Sequence, residues 1–578
     1  MSESLKPRLD RYRTELQTER GKYHADWQDI DRYLYPRPIS RLYSKRPTSA
    51  RNDAFIVNET ATFALNTIRS GLMAGYTNPS RPWFKLGLAD PDLQDVYTVK
   101  TWLAEVEERL RTVLIKSNFY YQLPNIYGDS AAFGTAALVA LEDDQHIVRF
   151  NCIPVGQFSL ALDERDRPEC CMREFTMTVR QIVEQFGQDN ISDQVKTALE
   201  KGRLEQSISI THAILPHNDA MTKILTGATL QKGMDGGIKK VMPWHSVYYE
   251  SHNSADQILM EKGFEEFPVC CPRWDAISGD VYSTRWPGMT ALGSVKQLQA
   301  TERVRFTVHD LQARPPMIAD STLKSVRLSS VPGGISYIDN LAMTQHSAFR
   351  RAFEVNPDTR GMDAGIMEIE GRIKRAFHED LMQMFATGDY RQMTAREVAE
   401  RSQEKIFVLG PVMQHFDTEL CDPVLYRTVM IMLRNGHLPP VPQELAGQDL
   451  KIEYISIMSQ ALKMIGSSNT ETFMAGVANM EKIFGPSVLD NVDADHALIE
   501  YGQQQGVSPK MLVPQDQVKA KREAQAKAQQ AAQQQAQQAA QQQQMMQQQG
   551  PTNQGTGSGD QANQGTMNPM TAMMEGGQ

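Results

Sequence analysis

The sequence predicts an α+β fold that is mainly helical, and three observations lead to this prediction. Several long stretches place apolar residues three and four positions apart, which is helical spacing. Residues 146–282 contain short runs that are rich in β-branched and aromatic residues. With 41% hydrophobic and 22% charged residues, most of the 578-residue chain can bury a core.

The first half of the chain is predicted to alternate helices with short strands. Pro36 and Pro38 end the first, charged helix, and apolar residues four apart, such as Trp102 and Val106, mark the third. The predicted helices cover residues 3–35, 58–76, 96–117, 179–186 and 193–201. The predicted strands cover residues 146–150, 173–178, 207–215, 247–250 and 267–271.

The second half is predicted to contain two long helices that flank a compact, β-containing tip. The first covers residues 288–313, and about forty polar, β-branched and turn-rich residues follow it. The second covers residues 363–386 and is followed by a loop. A further helix is expected to begin at Thr394, which has the capping-box spacing, and residues 454–501 are again predicted to be helical. The apolar stripe of the second helix is Ile366, Ile369, Ile373, Phe377, Leu381 and Met384.

The charge balance and the chain start exclude some classes of protein. Lys and Arg number 60 and Asp and Glu 69, which gives a net charge of −9. This argues against a protein that coats nucleic acid along its whole surface, since such proteins are usually basic, but it permits a local contact. Residues 2–6 lead directly into a charged helix, and the longest mainly apolar run, about residues 131–141, is too short to span a bilayer. We therefore expect no signal peptide and no contact with a membrane.

Sequence motifs for catalysis, cofactors and metals are absent. The sequence has no GxxxxGK[ST] loop, no GxGxxG after a strand, no HExxH and no GxSxG. His378-Glu379-Asp380 are adjacent, so they cannot face one site on a helix, and they indicate a charge patch. The vicinal pairs Cys170-Cys171 and Cys270-Cys271 are expected to be buried thiols in strands, in a reduced compartment. We expect no catalytic residue, no cofactor and no metal.

The C-terminal tail has a low-complexity composition. From Gln525 to Gln549, 15 of 25 residues are Gln and seven are Ala, so this segment has too little apolar bulk to fold alone. Its Ala residues recur mostly three or four positions apart, a narrow stripe that suits identical helices packed side by side in a ring. A solvated low-complexity tail is the alternative. Beyond Gly550 the chain is predicted to be disordered.

The most specific segment runs from Asn66 to Leu86 and reads NTIRSGLMAGYTNPSRPWFKL. Small residues leave one side of its helix without bulk, so that another backbone can approach closely. Taken alone, the segment indicates a local device that packs a helix against a strand. The small residues are Ser70, Gly71, Ala74 and Gly75, and the exit from the helix carries Pro79, Arg81, Pro82, Trp83 and Phe84.

This segment resembles the SGLMxGxxxPxRPWF signature of the bacteriophage head-to-tail connecting proteins, the portal proteins of short-tailed, podovirus-type phages. Tyr282–Leu298 is similar to that family's segment before the first stem helix, Ala313–Ile318 to the exit from it, and Met393–Val398 to the segment after the tunnel loop. A Gln-rich C-terminus also recurs there. The resemblance covers about residues 10–450. Ser283–Trp286 departs from the usual tight Gly-Arg turn.

The resemblance implies a portal fold with wing, stem, clip and crown that assembles as a cyclic ring with a central channel. The implied divisions are an N-terminal helical arm of the wing (1–39), the wing (40–287), stem helix 1 (288–314), the clip (315–358), stem helix 2 (359–386), the tunnel loop (387–394), a wing helix and return (395–454), the crown (455–516), an Ala/Gln-rich helical barrel or tail (517–550) and a disordered tail (551–578).

The resemblance also implies a function: a dodecameric ring at one capsid vertex that conducts double-stranded DNA during packaging and ejection. The implied partners are further copies of the chain, the terminase large subunit, major capsid and scaffolding proteins, a tail adaptor protein at the clip, and internal core or ejection proteins at the crown. The implied location is the virion, with assembly in the host cytoplasm. Sliding DNA requires weak contacts, because each Lys or Arg contact to phosphate adds a counterion-release term. We expect Arg391 and Gln392 to face the DNA, with Lys374 and Arg375 as second choices.

Three other interpretations remain open. A non-enzymatic scaffold or adaptor that forms a ring but binds only protein would lack any DNA-channel phenotype. A nuclease or packaging enzyme would hydrolyse ATP or nucleic acid. A non-viral helical adaptor with a Gln-rich tail would be a monomer in solution.

Overall fold

The computed structural model describes most of the first 460 residues and scattered residues beyond them. The chain divides into two compact units, Met1–Thr472 and Phe473–Gln578. The described residues are 4–36, 55–88, 90, 93, 96–218, 221, 242–253, 257–314, 317–319, 349–351, 359–386, 408–445 and 450–460, together with single residues and short runs between 477 and 530.

Two helices, rather than the single predicted one, form the N-terminus. Helix α1 spans Leu5–Gly21 and α2 spans His24–Tyr33, with a turn between them. The prediction of one helix over residues 3–35 is therefore wrong. The break arises because the two helices bury their apolar residues in different cores: α1 packs against a five-stranded sheet, whereas Trp27 of α2 lies in the main core.

Five further helices lie among the described residues of the first half of the chain, and four of them match the sequence prediction closely. The helix that the sequence did not predict is α5, which is buried on almost every side and therefore lacks a polar face to reveal a period. They are α3 (Thr60–Gly75), α4 (Tyr97–Lys116), α5 (Phe119–Phe133), α6 (Val179–Phe186) and α7 (Asp193–Glu200).

The strands form four antiparallel groups. The largest has the order β4-β5-β6-β7-β8, and the second has the order β3-β2-β9. Two-stranded groups are formed by β1 with β12 and by β10 with β11. The strands are β1 (Phe84–Leu88), β2 (Ala137–Asp143), β3 (Ile147–Ile153), β4 (Phe158–Leu162), β5 (Pro168–Thr178), β6 (Ser207–Pro216), β7 (Trp244–Glu250), β8 (Ile258–Phe264), β9 (Val269–Cys270), β10 (Met317–Ala319), β11 (Phe349–Arg351) and β12 (Leu450–Tyr454).

The five-stranded sheet is covered by helices on both faces. In β6, Ile208 and Ile210 pack with α6 and α7, while Ala213 and Leu215 pack with α1. Successive side chains of a strand point to opposite faces of the sheet. The even-numbered Ile208 and Ile210 therefore face α6 and α7, and the odd-numbered Ala213 and Leu215 face α1. The vicinal cysteines lie in or next to strands and are buried, as predicted.

Strand β12 corrects the prediction for the region after residue 454. Tyr454 ends this strand and pairs with Phe84 of β1, so it does not begin a helix. The periodicity of the following residues extended the predicted helix too far upstream. Helical residues begin at 457, and most of the predicted 454–501 helix lies outside the described residues.

The two long helices of the second half are present, but the second is interrupted. Helix α8 spans Pro287–Ala313, and β10 pairs with β11 beyond it. Helix α9 spans Thr359–Ala376, and α10 spans Glu379–Ala386. The prediction of one continuous helix over 363–386 is wrong because His378 adopts a left-handed conformation with φ of 51°.

Helices α11 and α12 follow residues 387–407, which lie outside the described residues. Helix α11 covers residues 408–416 and continues through a π-helical turn, Asp417–Cys421, into α12 (Asp422–Arg434). A 3₁₀ turn spans Gln443–Leu445. The predicted helix start at Thr394 lies outside the described residues. In the second unit, the described residues between 518 and 530 are helical. Within the described part of the chain, no helix is long and apolar enough to cross a membrane.

Candidate functional site

The two glycines of the signature segment lie where α3 meets α10. A Cβ added to Gly71 would sit 2.7 Å from the Cβ and 2.9 Å from the Cα of Met382. A Cβ on Gly75 would lie 3.0 Å from the Phe385 ring. Any side chain larger than hydrogen would therefore push the two helices apart. These glycines therefore pack a helix against a helix. The predicted contact of a helix with a strand is wrong.

Ser70 lies on the other side of α3 and is exposed. It lines a shallow groove with Asn66, Met73 and Pro124. The small residues of the signature therefore serve two different surfaces, and Gly71 and Gly75 alone make the close contact with α10.

The exit from α3 is held by its aromatic residues. Trp83 and Phe84 are buried, while Pro79 and Pro82 are exposed and Arg81 is half-buried. The Trp83 ring stacks on Tyr454 with ring centroids 6.4 Å apart, and its indole N–H donates to the Tyr120 hydroxyl over 3.0 Å. These contacts fix β1 beside β12.

Tyr76 directly follows Gly75 and contacts the π-helical turn. Its hydroxyl donates to Asp417, and burial raises its pKa well above the usual value. Tyr454 donates to Asp422 at the other end of the turn over 2.5 Å. Two tyrosines therefore bind the two ends of this turn: Tyr76 binds Asp417, its first residue, and Tyr454 binds Asp422, the residue directly after it.

A buried ion pair holds the same turn from a third direction. Glu419 accepts hydrogen bonds from the backbone N–H of Arg273 at 2.8 Å and from its Nη2 at 2.5 Å. Burial by itself raises the pKa of Glu419, but hydrogen bonds from His415 and Arg273 outweigh burial and lower it below the usual value. A π-turn leaves a local irregularity in a helix, and such turns are frequent at functional sites.

Helix α10, which precedes residues 387–407, and the last residue of α11, which follows them, both pack against the C-terminal end of α3. Phe385, near the end of α10, packs on Gly75. Phe416, at the end of α11, lies with its ring centroid 6.4 Å from that of Tyr76. The helix before residues 387–407 and the end of the helix after them therefore pack against the same short stretch of the signature.

The start of α3 is bound to both long helices. The Gln299 side chain of α8 accepts from the backbone N–H groups of Val57 and Asn58 at 2.6 and 2.9 Å and donates to the Asn58 carbonyl at 2.8 Å. The Asn58 amide donates to Glu302 of α8 at 3.1 Å and to Glu370 of α9 at 2.9 Å. Helix α3 therefore links α8, α9 and α10.

The residues expected to face DNA are only partly described. Lys374 and Arg375 are exposed in the last turn of α9, and the Arg375 Nε donates to the Gly371 carbonyl at 3.2 Å. They are neighbours in sequence, so they point in directions about 100° apart. Arg391 and Gln392 lie outside the described residues.

The acidic residues beside the helix break do not form a described metal site. Glu379 and Asp380 occupy the first turn of α10, where negative charge is favourable at a helix N-terminus. Among the described residues, no group of three or more His, Cys, Asp and Glu side chains could hold a metal ion.

Sequence reasoning missed Asn58, Gln299, Tyr76 and the acidic residues of the π-turn. Gln299 lies on the buried side of α8, and a polar residue on that side was a usable signal. Tyr76 belongs to the signature string itself. The π-turn has no sequence signal of this kind, because two of its partners, Tyr76 and Arg273, lie more than a hundred positions away.

Comparisons with known proteins agree with one another. A model of the "Bacteriophage head to tail connecting protein" family matches residues 6–512. A "Portal protein" of Salmonella phage epsilon15 is 38% identical over 526 residues, 91% of this chain and 92% of that protein. A "Probable portal protein" of Bordetella phage BPP-1 is 36% identical over 514 residues, 89% of each.

Among solved structures, a chain from the virion of a native gene transfer agent particle aligns with a TM-score of 0.33 at 9% identity, over 78% of this chain and 91% of that chain. This score is too low to add to the sequence result. The family match and the two phage relatives each cover most of the chain, and on that basis the chain belongs to the bacteriophage head-to-tail connecting protein family.

Proposed function

We propose that the chain is a phage portal protein, a structural and non-enzymatic ring at one capsid vertex through which double-stranded DNA enters and leaves. The names of the two phage relatives support this role. The proposed ring has twelve subunits. In each, α8 is the first stem helix, residues 359–386 (α9 and α10) the second, residues 315–358 the clip and residues 387–394 the tunnel loop.

One observation carries the proposal: α10 and α11, the helices before and after the segment that contains the tunnel loop, both pack against the signature segment. Phe385 packs on Gly75, and Phe416 lies beside Tyr76. A loop whose two flanking helices are both held by the wing can project into a channel while those helices stay fixed. The pairing of β10 with β11 likewise brings the two ends of the clip together.

The charges of α9 and its neighbourhood fit DNA that slides rather than binds. Residues 363–380 hold five acidic and three basic side chains. Tight binding would require many uncompensated cations, because each phosphate contact adds a favourable counterion-release term. In this proposal Arg391 and Gln392 make the main contact, and Lys374 and Arg375 contribute less.

The proposed partners follow from the position of each part in the assembled particle. The clip contacts the terminase large subunit during packaging and the tail adaptor later. The wing contacts the major capsid and scaffolding proteins, and the crown contacts internal core or ejection proteins. The ring assembles in the host cytoplasm and remains in the virion.

The mass and symmetry of the purified chain test the proposal directly. Mass photometry and class averages from electron micrographs are expected to give rings of about 780 kDa, twelve times the chain mass of 65.1 kDa, with an open central hole. A monomer at high concentration would reject the ring and favour a helical adaptor. A ring that supports assembly of capsids but shows no DNA-channel phenotype would favour a scaffold that binds only protein.

A further inference from the structure

Helix α8 has a second stripe of uncharged residues, most of which lie on the side turned away from the rest of the described chain. Gln297, at the edge of the stripe, contacts Arg372 of α9. The stripe residues repeat at spacings of four and three, the spacing of helices that pack along a seam. All but the last are exposed, and Val304 is 54% exposed. The stripe consists of Gly293, Gln297, Ala300, Val304, Thr307 and Leu311.

The opposite side of α8 is already an apolar face. Ala291, Val295 and Leu298 are buried there against the rest of the chain. A helix with one buried face normally has a charged or strongly polar outer face, and a helix with uncharged residues on both faces is normally covered on both. Within the described part of the single chain, the outer stripe of α8 therefore lacks its partner.

Helix α9 has a matching outer stripe. It contains Ala364, Met367 and Gly371, and a basic residue lies at each end, Arg360 and Lys374. Met367 is 70% exposed. A Cβ on Gly371 would meet nothing within 4 Å, so there is open space beside Met367. Met367 is thus a large, exposed residue between two small ones, and its side chain can pack against a small residue at the centre of the α8 stripe.

The two stripes also stand at corresponding heights. Within the chain, Arg305 of α8 pairs with Asp363 of α9 at 3.2 Å, and Gln297 accepts from Arg372 at 3.4 Å. The helices are therefore antiparallel. Val304 is level with Ala364, and Ala300 is level with residues 368–369, within half a helical turn of Met367. Subunits of a ring repeat at the same height, so large residues of one stripe meet small residues of the other.

We propose that the outer stripe of α8 in one copy packs against the Ala364–Met367–Gly371 stripe of α9 in the next copy. This inference rests on the proposed ring and identifies its contact between stem helices. The two faces differ, so the contact is heterologous and can repeat around a closed ring. The same pairing repeats at every subunit boundary, and it covers the uncharged outer stripe of α8.

Two double variants, each of which changes one face, test the proposal. The first is Ala300→Asp/Val304→Asp on α8, and the second is Met367→Asp/Gly371→Asp on α9. Each alone is expected to give monomers of 65.1 kDa by mass photometry, because acidic groups would be buried without partners. The matched control, Leu204→Asp/Ile277→Asp, changes two exposed apolar residues elsewhere and is expected to keep the ring.

An equimolar mixture of the two variants gives the decisive result. The α9 face of the first variant is intact and can pack on the intact α8 face of the second variant. The other two faces, α8 of the first variant and α9 of the second, both carry the substitutions. The mixture is therefore expected to form dimers of about 130 kDa, twice 65.1 kDa, and nothing larger. If a double variant has an altered circular dichroism spectrum, Lys substitutions at the same positions replace the Asp substitutions.

Three results would overturn the proposed contact: rings that persist in either double variant, a mixture without dimers, or a mixture that rebuilds full rings. Each of these would leave the portal function intact, because the wild-type chain would still form a ring. A wild-type chain that stays monomeric would instead reject the proposed function itself.

Discussion

Gly71 of α3 and Met382 of α10 are in such close contact that only a glycine fits at position 71. An added Cβ would lie 2.7 Å from the Met382 Cβ and 2.9 Å from its Cα. The obstacle includes backbone, so it cannot be relieved by rotation of a flexible side chain. The close spacing between α3 and α10 at this point therefore depends on the absence of a side chain at Gly71.

Gly71→Ala is expected to destabilise the protein by about 1–3 kcal/mol, the usual cost of added volume in a well-packed contact. Thermal unfolding at a fixed protein concentration measures the effect. Gly365→Ala in α9 is the matched control, because its Cβ would meet nothing within 4 Å. This control should gain about 0.5–1 kcal/mol, the advantage of Ala over Gly inside a helix. Equal effects from the two variants would contradict the close contact.

Gln299→Met is expected to destabilise the protein by at least about 2 kcal/mol. The side chain satisfies two backbone N–H groups and one carbonyl at residues 57 and 58, and an unpaired buried polar group costs about 1–3 kcal/mol. Urea unfolding should show a lower midpoint with an unchanged slope. Gln312→Met, at an exposed position on the same helix, is the control. A midpoint equal to the wild type would show that α3 does not depend on α8.

The sequence predicted the helices with one clear polar face more accurately than any other part of the fold. Helix α4 was expected at 96–117 and spans Tyr97–Lys116, because its stripe alternates with charges. Helix α5 was missed because Phe119, Tyr127 and Ala132 are all buried and leave no period. The break at His378 was missed because the apolar period continues across it through Phe377 and Leu381, both buried.

The candidate site was predicted in part. The small residues of the signature correctly indicated close backbone approach at Gly71, but not its partner, because Met382 lies more than three hundred residues away. The functional assignment of Arg391 depends on the family resemblance and stays a prediction. The contacts of Tyr76 with Asp417 and of Arg273 with Glu419 are products of the tertiary fold, and local spacing does not indicate them.

His212 is expected to make stability depend on pH below neutrality. Its ring is buried, stacks on Tyr248 at 3.8 Å, and lies 2.9 Å from the Ser246 hydroxyl through Nε2. Burial, with a smaller effect of Arg173, lowers its pKa to about 3, whereas the unfolded value is about 6.5. Between these values the unfolded state binds one more proton, so stability falls as pH falls, by up to about 1.4 kcal/mol per unit.

His212→Gln is therefore expected to reduce the slope of stability against pH between pH 4 and 6, as measured by urea unfolding. His252→Gln, at an exposed histidine, should keep the wild-type slope. The prediction is wrong if the His212 variant and the wild type lose stability in parallel as the pH falls.

Arg391→Ala is expected to leave the ring intact and to lower the amount of DNA that filled heads retain. For every phosphate that an arginine no longer neutralises, the slope of log affinity against log salt decreases in magnitude by about 0.9. Retention in wild-type and variant heads, measured over a series of salt concentrations, reports this change. Arg165→Ala removes an exposed arginine from the turn between β4 and β5, and it should leave retention unchanged. If Arg391→Ala behaves like that control while Arg375→Ala lowers retention, the contact with DNA lies on the stem helix and not on the loop.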